Sequence, residues 1–398
     1  MQINVAVFFG CCSVEHEVSI ISAVQAMHSM DREKYNIIPV YVTKDGVMMT
    51  GDDLFDIEKY KNLPALIKKL RTVTLVREGK DVLMKTLSSR FGKKSTRIDV
   101  AFPIVHGTNC EDGTIQGLFE FLRLPYVGCD IISSAVGMDK VIFKDVLRSA
   151  ELPVLPCVSI YSREYFENRE ELIARIEKEI GLPAIVKPAN LGSSVGITKA
   201  DSAAALADAI NLACSFADKI LVERAITGLR EINCSVLGDY DECIASCCEE
   251  PIMHDDILSF EDKYLGGGKQ QSGGSKGMSS LSRKLPADIP EEKSEEIRAL
   301  SCRVIKAIGG SGIARIDFML DTEHGDKVYV NEINTIPGSL AFYLWEQSGI
   351  KYKDLLSRAI DLAFKRSRKQ KSLNFTFESN ILSGVSLGGT KGSKGAKM

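Results

Sequence analysis

Short apolar runs alternate with segments of helical spacing over the first 130 residues. Each apolar run predicts a buried strand, and the predicted strands cover residues 3–9, 37–43 and 97–105. The predicted helices cover residues 15–30 and 113–124. Strands that alternate with helices predict a parallel α/β sheet. Ligands of such sheets bind at the carboxyl ends of the strands, where the loops 10–17 and 106–113 follow.

The pattern changes near residue 131, where charged helical segments dominate before longer strands appear. Predicted helices cover residues 142–150, 160–180, 202–217 and 291–308. A strand at 184–188 leads into a Gly/Ser loop at 192–196. The later strand signals predict a largely antiparallel sheet from residues 220–226, 231–237, 242–248, 313–320 and 327–334. The fold class is therefore α/β, with α+β character in the C-terminal half.

Two segments carry no periodic pattern. The sequence GGGKQQSGGSKG at 266–277 is flexible by composition, and it is either a linker or a mobile loop that covers an active site. The tail after Lys365 is basic and then rich in Gly, Ser and Lys, so we expect its last part to be disordered. Within that tail, residues 375–382 alternate apolar and polar positions, and we expect them to dock on a neighbouring surface.

Composition narrows the class of protein. The chain has 398 residues, 44% apolar and 26% charged, which predicts two or three globular domains. A net charge of -3 gives no electrostatic reason to expect nucleic-acid binding. The N-terminus lacks the features of a signal peptide, and no apolar run reaches the roughly 20 residues of a membrane span. The 11 cysteines show no metal-site spacing, so we expect reduced thiols and a cytoplasmic protein.

Two strands near the C-terminus carry the strongest chemical signal. Side chains alternate faces along a strand, so Arg315 and Asp317 share one face, as do Glu332 and Asn334. If the strands pair, two carboxylates and an amide oxygen converge beside an arginine. Oxygen ligands of this kind suit Mg²⁺, which also binds substrate phosphates. The alternative is an ion pair on a solvated sheet face.

A second signal is a candidate phosphate site. Lys187 ends a strand, and the loop 192–196 that follows offers glycine backbone and the hydroxyls of Ser193 and Ser194. Lys140 supplies a second cation. The P-loop motif is absent, so a Gly/Ser turn without function is the alternative.

Polar residues also follow two strands of the N-terminal half. Glu15 lies at a strand-to-helix turn, where its carboxylate can hold the ammonium group of a small substrate or merely favour the helix dipole. His106 follows another strand and is either a structural histidine or a ligand contact.

Read in order, the segments with these residues closely resemble the D-alanine–D-alanine ligases, from Val5 to about Asp361. The matching segments are SVEHEVSIISA (13–23), HGTNCEDGTIQGLFE (106–120), LPYVGCDIISSAVGMDK (124–140), AIVKPANLGSSVGITK (184–199), DKYL (262–265), ARIDFML (314–320) and NEINTIPG (331–338). Each segment alone is modest, but the ordered set is highly specific.

The resemblance implies the ATP-grasp fold, in which two domains clasp ATP behind an N-terminal α/β domain. It places the N-terminal domain at 1–130, the two ATP-clasping units at 131–222 and 223–366, and a partly disordered tail at 367–398. It also implies two Mg²⁺ ions, which Mn²⁺ can replace, on Asp317, Glu332 and Asn334.

The resemblance assigns roles to further residues. Those implied to bind ATP are Lys140, Lys187, Ser194, Glu223, Arg224, Ile226, Glu231 and Lys263. Those implied to take part in catalysis are Glu15, Ser193, Tyr264, Arg315 and the backbone at Gly338. Those implied to contact the amino-acid substrates are Val18, Ser19, His106, Tyr343 and Leu344.

The implied reaction joins two D-alanine molecules through a D-alanyl phosphate, for peptidoglycan precursor synthesis. Lys263-Tyr264 on the lid-like loop favours an amine nucleophile over D-lactate, and the apolar Leu344 favours D-alanine over D-serine. An apolar pocket rejects one added hydroxyl poorly, so we expect slow use of D-serine. The resemblance also suggests a homodimer formed through the N-terminal domain.

Departures from the family pattern leave other readings open. Cys11-Cys12, Arg224 and the run 339–344, which includes Tyr343, differ from the residues that are usual in the family. A D-alanine–D-serine or D-lactate ligase, another ATP-grasp amino-acid ligase and an inactive ATP-binding regulator are the alternatives. The segments at 15–19 and 106–113 argue against another ATP-grasp amino-acid ligase. The full set of lysines and carboxylates argues against an inactive regulator.

Overall fold

A seven-stranded mixed sheet forms the N-terminal unit of the protein, seen in a computed structural model that describes residues 2–87, 95–192, 195–252 and 283–375. Its strands are β1 (Ile3–Gly10), β2 (Tyr35–Val42), β3 (Met48–Thr50), β4 (Arg71–Glu78), β5 (Asp81–Thr86), β6 (Ser95–Ile98) and β7 (Val100–Pro103). They are ordered β6-β5-β4-β3-β2-β1-β7. Residues 5–9 of β1 are fully buried, as their unbroken apolar run predicts.

The predicted parallel sheet is only partly right. Strands β2, β1 and β7 are parallel, but the pairs from β2 through β6 are antiparallel. The single strand predicted at 97–105 is wrong, because Asp99 divides it into β6 and β7 with different partners. The Asp99 carboxylate accepts the backbone N–H of Asn4 at 2.9 Å, which fixes the break against β1.

Helices α1 (His16–Ser29), α2 (Leu63–Ile67) and α3 (Thr114–Phe121) belong to this unit. The last helix of the described residues, Tyr352–Lys371, returns to the same core, where Leu355, Leu356 and Ile360 belong to the same buried apolar cluster as residues of β1 and α1. It extends beyond the boundary predicted at residue 366. Arg366 donates to the carbonyl oxygens of Gly128 and Tyr126, which ties this helix to the N-terminal unit.

A four-stranded antiparallel sheet forms the central unit, in the order β10-β9-β11-β8. Its strands are β8 (Cys157–Tyr161), β9 (Ala184–Pro188), β10 (Thr198–Ala200) and β11 (Lys219–Arg224). The helices of this region are α4 (Ile131–Met138), α5 (Lys140–Ser149), α6 (Ser162–Glu167), α7 (Arg169–Glu179) and α8 (Ala203–Cys214). Helix α8 begins where the Ser202 side chain accepts the N–H of Ala205.

A five-stranded antiparallel sheet forms the C-terminal unit, in the order β14-β13-β12-β15-β16. Its strands are β12 (Leu229–Gly238), β13 (Cys243–Pro251), β14 (Arg283–Lys284), β15 (Gly312–Asp321) and β16 (Lys327–Asn334). Its helices are α9 (Glu291–Ile308), at the predicted bounds, and α10 (Phe342–Gln347), and the helix Tyr352–Lys371 is α11. The strand predicted at 220–226 is wrong as a member of this sheet, because it pairs as β11 in the central unit.

The short connection from β11 to β12 joins the two antiparallel sheets. Beside it, α5 contributes Phe143 and Leu147 to the core of the C-terminal sheet, so the sheets meet along shared side chains. We find no helix in the described ranges with the length and apolar character of a membrane span. A large cleft opens where the three units meet.

Candidate active site

The cleft is a cavity of about 1020 Å³, large enough for a nucleotide and small substrates together. Side chains from all three units line it. Of the residues predicted for the site, those on its wall are Glu15, His106, Lys140, Lys187, Glu223, Arg224, Ile226, Glu231, Arg315, Asp317, Glu332, Asn334, Gly338 and Tyr343.

Strands β15 and β16 bring the predicted carboxylates together. Asp317 lies opposite Glu332, and Arg315 lies opposite Asn334, as the alternation of side chains predicts. The Asn334 amide donates to Asp317 Oδ2 at 3.1 Å. Within the described ranges, no three His, Cys, Asp or Glu side chains form a metal cluster. Two carboxylates and one amide nevertheless suit Mg²⁺, which leaves its remaining positions to phosphate and water.

Arg315 is held by the neighbouring carboxylate. Its Nε and Nη2 donate to the two oxygens of Asp317 at 2.7 and 2.8 Å, and its side chain is buried. Burial alone lowers the pKa of Arg315, but the Asp317 charge outweighs it and raises the pKa well above its ordinary value. This fixed, fully charged guanidinium at the cavity wall can stabilise a developing negative charge.

Two lysines enclose the carboxylate of Glu223 in the nucleotide half of the cavity. Lys144 of α5 and Lys187 of β9 both donate to it, and only 1% of its side chain is exposed. Burial raises the pKa of Glu223, but the two lysine charges outweigh it and lower the pKa to about 2. Burial lowers the pKa of Lys187, and the Glu223 charge reverses this and raises it. Glu223 thus holds Lys187 in place.

Lys140 is the second predicted phosphate-binding lysine. Its Nζ donates to the carbonyl oxygen of Leu191 at 2.7 Å and lies 3.4 Å from Glu332 Oε2. Asp139 caps the helix that begins at Lys140 by accepting two backbone N–H groups. The cap and the Leu191 contact place the ammonium group between the loop after β9 and the candidate metal ligands.

The connection from β11 to β12 borders the same half of the cavity. Residues 224–229 line it continuously, and Glu231 follows on β12. Arg224 donates to the buried Asp321 at 3.0 Å, so its guanidinium braces this connection against β15. The exposed backbone and apolar side chains here, including Ile226, form a surface of the kind that an adenine ring requires.

Glu15 reaches the cavity from the N-terminal unit because two glycines leave room for it. A Cβ atom on Gly107 would lie 2.7 Å from Glu15 Oε2, and one on Gly192 would lie 3.5 Å from the same atom. The backbone of Gly107 also has a φ of 83°, which favours glycine. The carboxylate of Glu15 is therefore seated between two loops at the substrate end of the cavity.

His106 connects the N-terminal unit to the loop after β16. Its Nδ1–H donates to the carbonyl oxygen of Ile336 at 2.8 Å, and its Nε2 lies 3.0 Å from Ser22 Oγ. Ser22 Oγ in turn accepts the backbone N–H of Ser339 at 2.9 Å, so its hydroxyl donates to His106. Burial lowers the pKa of His106, which favours the neutral imidazole that these bonds require.

Glu111 also binds the loop after β16. Its carboxylate accepts the N–H of Ile336 at 2.8 Å, the hydroxyl of Thr335 and the N–H of Gly107. Burial raises the pKa of Glu111 to about 7.

The loop continues through three residues in the left-handed region, with φ angles of 49°, 53° and 49° at Ser339, Leu340 and Ala341. Such backbone is strained and needs these external bonds. They fix the position of the Gly338 backbone.

Comparison with known proteins gives one consistent result. The family profiles described as the D-ala D-ala ligase N-terminus and C-terminus match residues 4–129 and 146–361. A D-alanine–D-alanine ligase of Thermosipho melanesiensis is 39% identical over 382 residues, covering 96% of this chain and 98% of the relative. This chain belongs to the D-alanine–D-alanine ligase family. The known activity of the family is ATP-dependent ligation of D-alanine with formation of a C–N bond, for peptidoglycan synthesis.

Solved structures agree with this assignment. The D-alanine–D-alanine ligase of Coxiella burnetii is 30% identical, with a TM-score of 0.77 over 93% of this chain and 96% of that chain. The VanG D-Ala:D-Ser ligase of Enterococcus faecalis is 29% identical, with a TM-score of 0.75 over 91% of this chain and 100% of that chain. These ligases have the ATP-grasp fold, so the predicted fold class is confirmed.

Three of the residues predicted from the family pattern do not line the cavity. Val18 is half-buried on α1. The Ser19 hydroxyl is buried, where it donates to Ile104 O and accepts the N–H of Gly10. Leu344 is fully buried in an apolar cluster with Ala341 and Tyr343. Four more of the predicted site residues lie outside the described residues, namely Ser193, Ser194, Lys263 and Tyr264. The Gly-rich loop at 266–277 and residues 376–398, with most of the segment predicted to dock on a neighbouring surface, lie outside them as well.

The structure adds residues that the sequence did not single out. Lys144 and Glu111 act through the contacts described above. Asn331 accepts from Lys187 Nζ at 3.2 Å because a β-bulge places it on the cavity side of β16. A sequence signal exists for the bulge, since Val330 and Ile333 are both apolar although strict alternation puts them on opposite faces.

Proposed function

We propose that this cavity catalyses the ATP-dependent ligation of two D-alanine molecules, with the residues described above that line it. The arrangement that carries the proposal is the meeting of Arg315, Asp317 and Glu332 with Glu15 and the Gly338 backbone in one cavity. A carboxylate of the substrate can then reach a polyphosphate, two acidic oxygen ligands and a fixed guanidinium at the same time. Positioning and neutralisation of charge are what phosphoryl transfer requires.

ATP occupies the half of the cavity between the two antiparallel sheets. The adenine lies against residues 224–229, with Glu231 near the ribose. Lys140 and Lys187 neutralise the phosphates, and both ammonium groups are positioned by protein oxygens before ATP arrives. This pre-organisation supports their assignment, because no side-chain rearrangement is needed for charge neutralisation.

Asp317, Glu332 and Asn334 would hold two Mg²⁺ ions beside the phosphates, and Mn²⁺ could replace them. The oxygen-rich donor set on neighbouring strands supports this assignment. A bound ion of this kind polarises the γ-phosphate and offsets the charge that builds up on its oxygens. Rotation of the Asn334 amide would present its oxygen to such an ion, in place of the nitrogen that donates to Asp317.

In the first step, the carboxylate of one D-alanine attacks the γ-phosphorus, and ADP leaves. Glu15 binds the ammonium group of that D-alanine, while Arg315 stabilises the transferred phosphoryl group. In the second step, the amine of the other D-alanine attacks the acyl carbon, and phosphate leaves with the former carboxylate oxygen. The Gly338 backbone N–H and Arg315 face the oxyanion of that tetrahedral intermediate. His106 and Glu111 act only by fixing the loop.

Purified protein with ATP and Mg²⁺ provides the test of this proposal. We expect phosphate release to require D-alanine and to yield D-alanyl-D-alanine. With D-serine offered beside D-alanine we expect slow formation of the mixed dipeptide, and with D-lactate no ester. Chelation of divalent cations is the control and should stop the reaction.

A faster reaction with D-serine or D-lactate than with D-alanine alone would overturn the choice of second substrate. Phosphate release that no D-amino acid stimulates would overturn the proposed reaction itself. Assembly as a homodimer through the N-terminal unit, and location in the cytoplasm, belong to the same proposal and rest on family resemblance.

A further inference from the structure

A row of polar residues crosses the C-terminal sheet and extends beyond the candidate metal ligands. The strand register places Glu332 opposite Asp317, Asp317 opposite Asn233, and Asn233 opposite Glu249. All four line the cavity. Glu249 on β13 therefore lies two strands from Asp317, a separation of about 10 Å. The row therefore leads from the candidate metal ligands to a part of the cavity that has no role in the two proposed reaction steps.

Glu249 is the centre of a buried polar cluster. Its Oε1 accepts the hydroxyl of Tyr343 at 2.8 Å and the amide of Asn233 at 3.2 Å, and its Oε2 accepts Nη1 of Arg283 at 2.7 Å. Its side chain is 3% exposed, and that of Arg283 is 9% exposed. A buried ion pair with this many hydrogen bonds holds its members in a defined position.

Arg283 is further held by an aromatic ring. Its guanidinium carbon lies 4.1 Å from the centroid of the Tyr343 ring, which is a stacked cation–π contact. The cluster also lies near Arg315, because Glu249 is two strands from Asp317, which binds that arginine, and Arg283, Tyr343 and Arg315 line the same cavity. Arg283 is thus a fixed cation beside the place where the second amine must attack.

The chemistry of the second substrate requires such a cation. The first D-alanine is activated at its carboxylate, but the second reacts at its amine and keeps its carboxylate charged. Of the other cations on the described cavity wall, Lys140, Lys187 and Lys199 belong to the central unit in the nucleotide half, Arg224 is bound to Asp321, and Arg315 is held on both oxygens of Asp317. A guanidinium has five N–H donors in one plane and can bind two carboxylates at once.

We propose that Arg283, stacked on Tyr343 and paired with Glu249, binds the carboxylate of the second D-alanine and selects amino acids that carry one. The proposal rests on the proposed function, since it assigns the acceptor subsite of that reaction. It makes Arg283 a specificity-determining residue, with Glu249 and Tyr343 as positioning residues that hold its guanidinium.

The test compares two acceptors, D-alanine and D-alaninamide, whose carboxylate is replaced by a neutral amide. Arg283→Met keeps the length of the side chain and removes its charge. We expect the KM for the acceptor D-alanine to rise about 10- to 100-fold, as loss of a charge-assisted hydrogen bond predicts. The efficiency with D-alaninamide should change little, so the preference for the carboxylate falls by the same factor. Arg283→Lys should restore part of it.

Lys284→Met is the matched control, because Lys284 is the adjacent residue of β14, half exposed and paired with Glu250. It should leave both acceptors unchanged. A purely structural Arg283 would lower the efficiency with both acceptors equally, and an unchanged preference in Arg283→Met would likewise overturn the proposal. Failure of the wild-type protein to join D-alanine would instead overturn the proposed function, so the two failures are distinct.

Discussion

Replacing Arg315 with methionine is expected to lower kcat for D-alanine-dependent phosphate release by about a thousandfold or more. The guanidinium is fixed on Asp317 by two hydrogen bonds before substrate binds, so its charge acts on the transferred phosphoryl group without reorganisation. Since this charge matters most in the transition state, kcat should fall much more than the KM for ATP rises. Steady-state phosphate release measures both.

The control for this variant is Arg163→Met on α6, where the arginine is exposed and pairs with Glu167 four residues further along the helix. It should retain wild-type kcat. A thermal melt of Arg315→Met should show that the fold persists. Activity within tenfold of the wild type in a folded Arg315→Met protein contradicts the role given to this guanidinium.

Replacing Glu223 with glutamine is expected to destabilise the protein by about 3 to 5 kcal/mol. Two lysines converge on this carboxylate, and without its charge Lys144 and Lys187 are left buried beside each other. Urea unfolding followed by circular dichroism measures the loss as a fall in the midpoint at constant slope. Glu242→Gln, at an exposed position, is the control and should leave the midpoint unchanged.

A second variant separates this explanation from simple loss of packing. Adding Lys144→Met to Glu223→Gln removes one uncompensated charge at nearly constant volume, so the double variant should be more stable than Glu223→Gln alone.

The stability that the Glu223 carboxylate provides should also depend on pH. The pKa of Glu223 is about 2 in the fold and 4.5 as an ordinary value, so this stability is present above pH 4.5 and is lost as pH falls towards 2.

A double variant no more stable than the single one, or a single variant with the wild-type midpoint, contradicts this account of the charge cluster.

The candidate metal edge was predictable from the sequence because strand alternation is a local rule. Side chains two residues apart on a strand share a face, which places Arg315 with Asp317 and Glu332 with Asn334. The apolar residues on the other face of both strands indicated that the strands pair over one core. Helix α9 was predictable at its bounds for a similar reason, since Pro290 precedes it and Gly309 ends it in the left-handed conformation.

Contacts between distant segments were not predictable in this way. Lys144 meets Glu223 from 79 residues away, and nothing in the helical pattern of α5 marks it as the partner of a β-strand carboxylate. The Glu249, Arg283 and Tyr343 cluster likewise joins three separate elements. Strand β11 was assigned to the wrong sheet because periodicity identifies a strand but not its neighbours.

The break at Asp99 shows a related limit of pattern reading. An apolar run with one acidic residue still predicts one strand, but the Asp99 carboxylate accepts the backbone N–H of Asn4 at the point where β6 ends and β7 begins. Leu344 illustrates the same limit for function. The family resemblance implied that Leu344 contacts the second substrate, but the backbone at 339–341 turns through the left-handed region, and Leu344 is buried in an apolar cluster with Ala341 and Tyr343.

The central claim is that the D-alanine carboxylate itself attacks the γ-phosphorus. The most direct measurement uses D-alanine labelled with heavy oxygen in its carboxyl group, followed by mass analysis of the released phosphate. Because the attacking oxygen stays on phosphorus when the second amine displaces the phosphate, the account predicts one labelled oxygen in each phosphate formed with dipeptide. Dipeptide formation with unlabelled phosphate would contradict it, since water rather than D-alanine would then have received the phosphoryl group.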